Sequence, residues 1–441
     1  MNIYIHKLGC PKNDVDADYI MARIVDEGHT AVREPSEADI IIVNTCCFIQ
    51  DAKEESIEQI LLMAEYKKTG RLQRLFVSGC FSQRHGAELL EGMPELDGAF
   101  GLGELDAIGS AINAVSPKRP NIATAVERMD YLAGSRRHIG DSFPYAYLKI
   151  SDGCNRQCTY CIIPSIRGHF RSRPPEDILR EARFLVEHGK KELILVSQEA
   201  TVYGHDLKNN SNIVTLLQAL DKIDEVAWIR LMYLHPAQTD TALIDYMSSP
   251  HNKTLPYFDL PLQHINSEIL KRMKRRSSRE DIERLLGRIR ETAPEAAIRA
   301  TFIVGFPGET EEQFEELCRF VDEQEFDRLG AFTYSREEGS PAAEMPEQID
   351  DEEKNRRLDE LMSLQREIAF DKNDFLIGKV VEVMLDTCDE SGSAIGRTRN
   401  DCPDIDQEVR VRGDNLRVGD ICRVRIEAAD GYDLEGVKVE G

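Results

Sequence analysis

From residue 145 onward the chain repeats one unit, a short apolar run of strand composition followed by a longer amphipathic segment. The runs fall at 145–150, 192–197, 228–233, 257–262, 298–304 and 329–334. Such alternation dictates parallel strands, because parallel neighbours must be joined by crossovers long enough to hold a helix. Six units suit an open or partial (βα)6 barrel better than a complete eight-unit barrel. Groups that do chemistry should then lie on the loops after the strands.

Residues 1–116 alternate in the same way. Strands are expected at 2–8, 29–33, 39–44 and 72–78 and helices at 15–27 and 52–68, which makes an α/β module with a doubly wound parallel sheet. The polar, Pro-containing stretch 117–143 reads as a linker. The barrel module then runs over 144–370, ending in one long charged helix expected at 350–375. After it, "VVEVML", "EVRVR", "ICRVRIEAA" and "LEGVKVE" are short strands separated by Gly and Asp turns, so 371–441 should close a small antiparallel β-barrel. No repeat of solenoid type is present.

The 441 residues, 41% hydrophobic, can bury two or three cores. No apolar run approaches the roughly 18 residues of a membrane span, and the N-terminus has no signal-peptide pattern, so a cytoplasmic protein without membrane contact is expected. In that reducing setting the 11 cysteines read as thiols or metal ligands rather than disulfides. A net charge of −24 disfavours a broad nucleic-acid platform, leaves a local basic groove open, and suits a basic partner.

The chemistry is concentrated in "SDGCNRQCTYCIIPSIRG", residues 151–168. Cys154, Cys158 and Cys161 form a C-x3-C-x2-C array directly after the first barrel strand. Three thiolates at this spacing hold three corners of an iron-sulfur cube and leave one metal position open for substrate chemistry. The competing reading is a zinc site completed by His169, weakened because the array opens a strand-helix barrel rather than a zinc ribbon. Cys10, Cys46 and Cys80 form a second set. Each stands just past a strand, after "NIYIHKLG", "DIIIVNT" and "LFVSG", and the carboxyl ends of a parallel sheet share one edge where ligands bind. Gly9, Pro11 and Asn13 mark "KLGCPKN" as a turn carrying Cys10. Cys47 reads as a packing thiol, and Cys318, Cys388, Cys402 and Cys422 share no geometry.

The C-x3-C-x2-C array resembles the signature of the radical S-adenosylmethionine enzymes. The resemblance implies a cluster that cleaves S-adenosylmethionine by one electron to a deoxyadenosyl radical, which takes hydrogen from an unactivated carbon. "LVSQEA" stands where that family has a Gly-Gly-Glu-like segment, so Glu199 carries over as a cofactor ligand; a carboxylate serving a helix N-terminus accounts for it equally well. Gly305 and Gly308 of "TFIVGFPGET" resemble the backbone segment beside adenine, with a plain Gly-Pro turn as the alternative. "FDLPLQH" puts Gln263 and His264 at the barrel mouth as catalytic candidates, against a structural hydrogen-bonding role for the histidine.

Taken over its full length, the chain resembles the methylthiotransferases, with a TRAM-like terminal module. The resemblance implies two 4Fe-4S clusters, the second on Cys10, Cys46 and Cys80, and S-adenosyl-L-methionine as both methyl donor and radical source. "LGCPKN" and "DLPLQH" resemble the ribosomal-protein branch, which implies methylthiolation of an aspartate β-carbon in the decoding-centre protein of the small ribosomal subunit, and an electron donor protein as a second partner. Methylthiolation of an adenosine in transfer RNA is the runner-up; a non-catalytic, metal-containing RNA-binding protein is the reading from another class. Residues 377–441 carry 9 Lys plus Arg against 15 Asp plus Glu, a net −6. An RNA-gripping barrel should be basic, whereas an acidic one steers a Lys- and Arg-rich protein, making nucleic-acid contact secondary.

Overall fold

The computed structural model describes residues 1–114, 119–123, 136–389 and 392–439. The first module is a six-stranded parallel sheet of β1 (Asn2–Lys7), β2 (Thr30–Ala31), β3 (Ile40–Thr45), β4 (Arg74–Gly79), β5 (Gly98–Phe100) and β6 (Asn121–Ile122), in the order β2-β1-β3-β4-β5-β6. β3 is buried at every position, which is why "IIIVNT" is continuously apolar up to its polar end; a central parallel strand is covered on both faces. The strand order reverses between β1 and β3, and ligands bind outside the strand ends at such a switch point.

Several boundaries move. The expected strand at 29–33 shortens to two residues, and the helix expected at 52–68 divides into Gln50–Ala64 and Tyr66–Thr69. The helix expected from residue 15 already starts at Pro11 and runs to Asp26, since proline fits a first helical turn, whose N–H groups have no partner within the helix. Cys10 is thus the N-cap of a helix, not the middle of a turn. The linker expected over 117–143 lies partly outside the described residues. Of its described part, β6 extends the first sheet, and Arg137 is buried against Asp18 and Glu181.

All six expected barrel strands form: β7 (Tyr145–Lys149), then the small pair β8 (Ser151–Asp152) and β9 (Arg171–Ser172), then β10 (Glu192–Val196), β11 (Trp228–Leu231), β12 (Tyr257–Gln263), β13 (Ala297–Val304) and β14 (Arg328–Thr333). They make two parallel three-stranded sheets, β7-β10-β11 and β12-β13-β14. A lone bridge from Ile229 to Thr254 and the bond from the Leu234 N–H to the Asp259 carbonyl, 2.9 Å, hold the seam between them. The long helix forms over Asp351–Asp374, opened by the Asp350 carboxylate accepting the Glu353 N–H.

The C-terminal module is a closed five-stranded barrel of β15 (Val380–Cys388), β16 (Ser393–Thr398), β17 (Val409–Arg412), β18 (Ile421–Asp430) and β19 (Asp433–Lys438), antiparallel except for the β17/β19 pair. β16, "SAIGRT", is not apparent in the sequence because its small and charged residues break the alternation. Its loop to β17 enters the larger barrel at the amino ends of the strands. There Asp401 pairs with Arg328, Asp406 accepts the Tyr257 hydroxyl at 2.6 Å, and Asp404 accepts that of Tyr147 at 3.0 Å. Arg397 bridges Glu192, at 2.8 Å, and Asp386, at 2.6 Å. Cys402, at the tip, is buried beside Trp228, Tyr257 and Met384. Part of the acidity read as a steering field, that of Asp386, Asp401 and Asp406, is therefore internal.

Arg397→Met would leave Glu192 and Asp386 competing for too little positive charge in a buried site, a loss of about 3–5 kcal/mol. Arg412→Ala, which breaks only the exposed pair with Glu427, should cost no more than about 0.5 kcal/mol. Urea unfolding followed by Trp228, the sole tryptophan, separates the two.

Candidate metal centres at the barrel mouth

The three N-terminal thiols meet at the switch point of the first sheet. Cys10 caps the helix after β1, Cys46 follows β3 directly, and Cys80 opens the helix Cys80–Gly92 after β4. Two of them thus sit at helix N-termini, where the backbone dipole favours an anionic ligand. Gly9 has φ +88°, and a Cβ there would lie 2.7 Å from the Cys46 Cβ and 3.0 Å from its Sγ. Gly79, at φ +94°, would strike the Thr45 carbonyl at 2.6 Å. These glycines let the loops close on one another. Asn13 fastens them: its Nδ2 donates to the Leu8 carbonyl at 3.1 Å and the Thr45 carbonyl at 3.0 Å, and the Cys80 thiol points to its Oδ1 at 3.6 Å. Cys47 points elsewhere, donating from Sγ to the Cys80 carbonyl at 3.2 Å.

The second triad stands on the loop after β8. Gly153 before Cys154 has φ +76°, and a Cβ would overlap the His169 carbonyl. The Arg156 N–H points to the Cys154 Sγ at 3.4 Å and the Ile163 N–H to the Cys161 Sγ at 3.5 Å; the Arg275 guanidinium lies 4.0 Å from the Cys158 Sγ. Burial pushes the Cys154 thiol up to about 11 and those of Cys80 and Cys161 up to about 12, with neighbouring thiols adding to the rise. A bound metal reverses that preference, because a coordinating thiol is deprotonated outright. All six cysteines are free. Among the described residues no three His, Cys, Asp or Glu side chains close on the space of a single metal ion. The thiols of each triad lie near enough to push one another's pKa up, and thiolates are the usual ligands of iron-sulfur clusters. His169 is exposed and its Nδ1 engages Asn155 at 3.2 Å.

One buried charge network joins the two triads. Lys149 pairs with Asp16 and Asp152, and Arg167 with the same two carboxylates at 3.2 Å each. Burial pushes the Asp152 carboxyl up, but Lys149 and Arg167 outweigh it and hold the group well below the usual carboxylate range. The other Arg167 nitrogen reaches the Asn13 Oδ1 at 2.6 Å and the Cys80 Sγ at 3.4 Å. Ile162 and Ile166, just after Cys161, pack into the core of the first module. The loop that carries one triad is thereby part of the floor of the other.

The remaining candidates divide. Glu199 is buried, and Arg156 of the cysteine loop donates to both its oxygens, with Nε at 3.0 and 2.9 Å, leaving each oxygen a further acceptor site. Gln263 ends β12 with φ 74°, and Tyr233 just past β11 has φ 63°, so two non-glycine residues hold left-handed backbone at the mouth. His264 is fully buried; its Nδ1 accepts the Asn266 N–H at 2.9 Å, and its Nε2 lies 3.8 Å from the Glu309 Oε1. A Cβ at Gly305 would lie 2.4 Å from Lys354, and one at Gly308 2.2 Å from Arg272, so both glycines admit long side chains of this chain. Arg167, Arg156 and Arg275 were not among the expected site residues. The local signal that stood available was the Gly-Cys dipeptide before Cys10, Cys80 and Cys154.

The radical SAM superfamily matches residues 148–321, the TRAM domain residues 377–439, and a family described as Uncharacterized protein family UPF0004 residues 2–101. The ribosomal protein uS12 methylthiotransferase RimO of Lachnoclostridium phytofermentans is 44% identical over 439 residues, covering 99% of each chain. That of Clostridioides difficile is 43% identical over 437 residues, covering 99% of this chain and 98% of its own. Among solved structures, the radical S-adenosylmethionine methyltransferase TsrM from Kitasatospora setae, with cobalamin and a 4Fe-4S cluster bound, superposes with a TM-score of 0.55 at 14% identity, over 75% of this chain and 74% of its own. That likeness shows the fold alone. Fold and site together define a radical S-adenosylmethionine enzyme. With more than two-fifths identity along its whole length, the chain belongs to the ribosomal protein uS12 methylthiotransferase family. It is an enzyme, a methylthiotransferase, and the non-catalytic reading falls away.

Arg167→Met should loosen the first module from the barrel, because Asp16 and Asp152 lose half their positive partners. Hydrogen exchange in the helix Pro11–Asp26 is expected to accelerate roughly 100-fold or more. The folded Asp152 value lies below its unfolded value of about 4, so the network's contribution is complete above that pH and is lost as pH falls below it. The variant should therefore also flatten the acid side of the stability profile.

Proposed function

We propose that this chain acts in the cytoplasm on ribosomal protein uS12, replacing a hydrogen on the β-carbon of an aspartate with a methylthio group. The observation that carries the reading is the joining of two separate thiol triads through Arg167 and the Ile162–Ile166 packing. In this reading Cys154, Cys158 and Cys161 hold one 4Fe-4S cluster and Cys10, Cys46 and Cys80 the other. When bound, these clusters and S-adenosyl-L-methionine supply one-electron reduction, a sulfur site and the methyl group, with electrons from a donor protein. Glu199, held in place by Arg156, presents a carboxylate to the methionyl amino group of the cofactor. Arg167 and Arg275 place positive charge beside thiolates of the two triads and lower the cost of keeping them ionised. Ser197 and Tyr233, at the ends of β10 and β11, line the space between the modules and restrict water.

No helix among the described residues is long and apolar enough to cross a membrane. Anaerobically reconstituted, reduced protein should form deoxyadenosine and add SCH3 in place of H to uS12 and not to transfer RNA. Mass spectrometry on both substrates decides this, and a gain confined to the RNA would sink the assignment. Replacing Cys10, Cys46 and Cys80 together by Ala should remove about half the iron and leave S-adenosylmethionine cleavage detectable, as expected for two separate sites that each bind through three cysteines. Complete loss of cleavage in a folded triple variant would show that the two centres are not separable.

A further inference from the structure

Lys12 is a buried cation with no carboxylate paired to it. It stands in the first turn of the helix Pro11–Asp26 with 7% exposure, and its ammonium crosses from the first module to the barrel. There it donates to the Ser197 carbonyl at 3.4 Å and lies 3.5 Å from the centroid of the Tyr233 ring. An ammonium has three donors; one long bond to a carbonyl and the Tyr233 side chain take part of that capacity, and the nearest group able to carry a negative charge toward it besides Tyr233 is the Cys10 thiol. Buried charges are normally paired. The carboxylates around it are engaged elsewhere: Glu199 by Arg156, Asp16 and Asp152 by Lys149 and Arg167. Asp259 accepts the Tyr233 N–H at 2.9 Å and makes no ion pair with Lys12.

A second observation lies in the same stretch. The Ser197 hydroxyl, both amide atoms of Gln198 and the Thr201 hydroxyl are buried without a hydrogen-bond partner. Buried polar atoms are nearly always paired, and here several unpaired ones follow β10 within five residues, starting at the residue whose carbonyl accepts from the ammonium. The ammonium, the two hydroxyls and the Gln198 Nε2 all donate, so a ligand with anionic acceptor oxygens fits them, and the carboxylate is the one the proposed substrate carries at its reacting carbon.

We propose that Lys12, Ser197 and Gln198 form a subsite for the side-chain carboxylate of the target aspartate. This rests on the reading that uS12 is the substrate. The reacting β-carbon is bonded directly to the carboxyl carbon, so a group that grips the carboxylate fixes the reacting carbon one bond away. Lys12 also stands two residues from Cys10, on the module assigned to sulfur. The same residue then selects an aspartate over an uncharged base, which offers no carboxylate to the ammonium. The other carboxylate in the reaction, that of the methionyl group of S-adenosylmethionine, has the same chemistry, and the test must tell them apart.

Full-length, anaerobically reconstituted protein would be offered a uS12 peptide carrying the target aspartate and its Asn counterpart, with affinities read by fluorescence anisotropy and S-adenosylmethionine binding by equilibrium dialysis. The wild type should prefer the Asp peptide by roughly tenfold or more, the range for a hydrogen bond to a charged group. Lys12→Met with its full iron content should lose that preference and bind S-adenosylmethionine as before, and Lys12→Arg should keep part of it. Ser197→Ala, which leaves every cysteine neighbour in place, should narrow the preference a few-fold and decides the matter if Lys12→Met loses iron. An intact Asp preference in both Lys12→Met and Ser197→Ala overturns the subsite. Loss of S-adenosylmethionine affinity with the peptide preference intact assigns the pocket to the methionyl carboxylate and overturns it equally. A wild type that modifies neither peptide overturns the substrate reading, and the subsite with it.

Discussion

Two carboxylates and two cations, Asp16, Asp152, Lys149 and Arg167, meet in the dry interface between the first module and the barrel. Desolvating four charges costs several kcal/mol per ion, and their mutual attraction roughly offsets it only when every partner is present. Such a network therefore adds little net stability but imposes one arrangement, because any slip leaves a buried charge unpaired. Arg167 carries the constraint onward to Asn13 and Cys80, and Asn13 to the loops after β1 and β3. The relative placement of the two thiol triads depends on this network.

Elements that bury a periodic face were legible in the sequence. All six barrel strands, β3, β4 and the long helix Asp351–Asp374 appear close to where the pattern puts them. The placement of Cys10, Cys46 and Cys80 at the carboxyl edge of the first sheet was legible too, since it follows from the parallel sheet rather than from any local motif. Arg167, Arg156 and Arg397 were not. Each finds its meaning in partners tens or hundreds of residues away, and an isolated arginine in a sequence that carries 55 Lys and Arg gives no sign of which one will be buried. β16 was missed for a related reason: a strand in a small closed barrel needs little apolar alternation when its neighbours supply the core.

The net charge of the C-terminal module shows where composition misleads. A count of −6 suggests an acidic face turned to a basic partner, yet Asp386, Asp401 and Asp406 serve Arg397, Arg328 and Tyr257 inside the protein, and the exposed Asp404 accepts from Tyr147. The family membership stands without the charge argument. What the module offers a partner is set by its remaining surface, which includes the exposed Phe375, Ile377 and Tyr432.

The loop between β16 and β17 occupies the amino ends of the barrel strands, while the cysteines occupy the carboxyl ends. A module keyed into the barrel floor by several ionic and hydroxyl contacts cannot swing on a tether as a loose recognition arm would. It works instead as a fixed gauge. Its distance from the mouth is therefore set by the length of the barrel strands that lie between them.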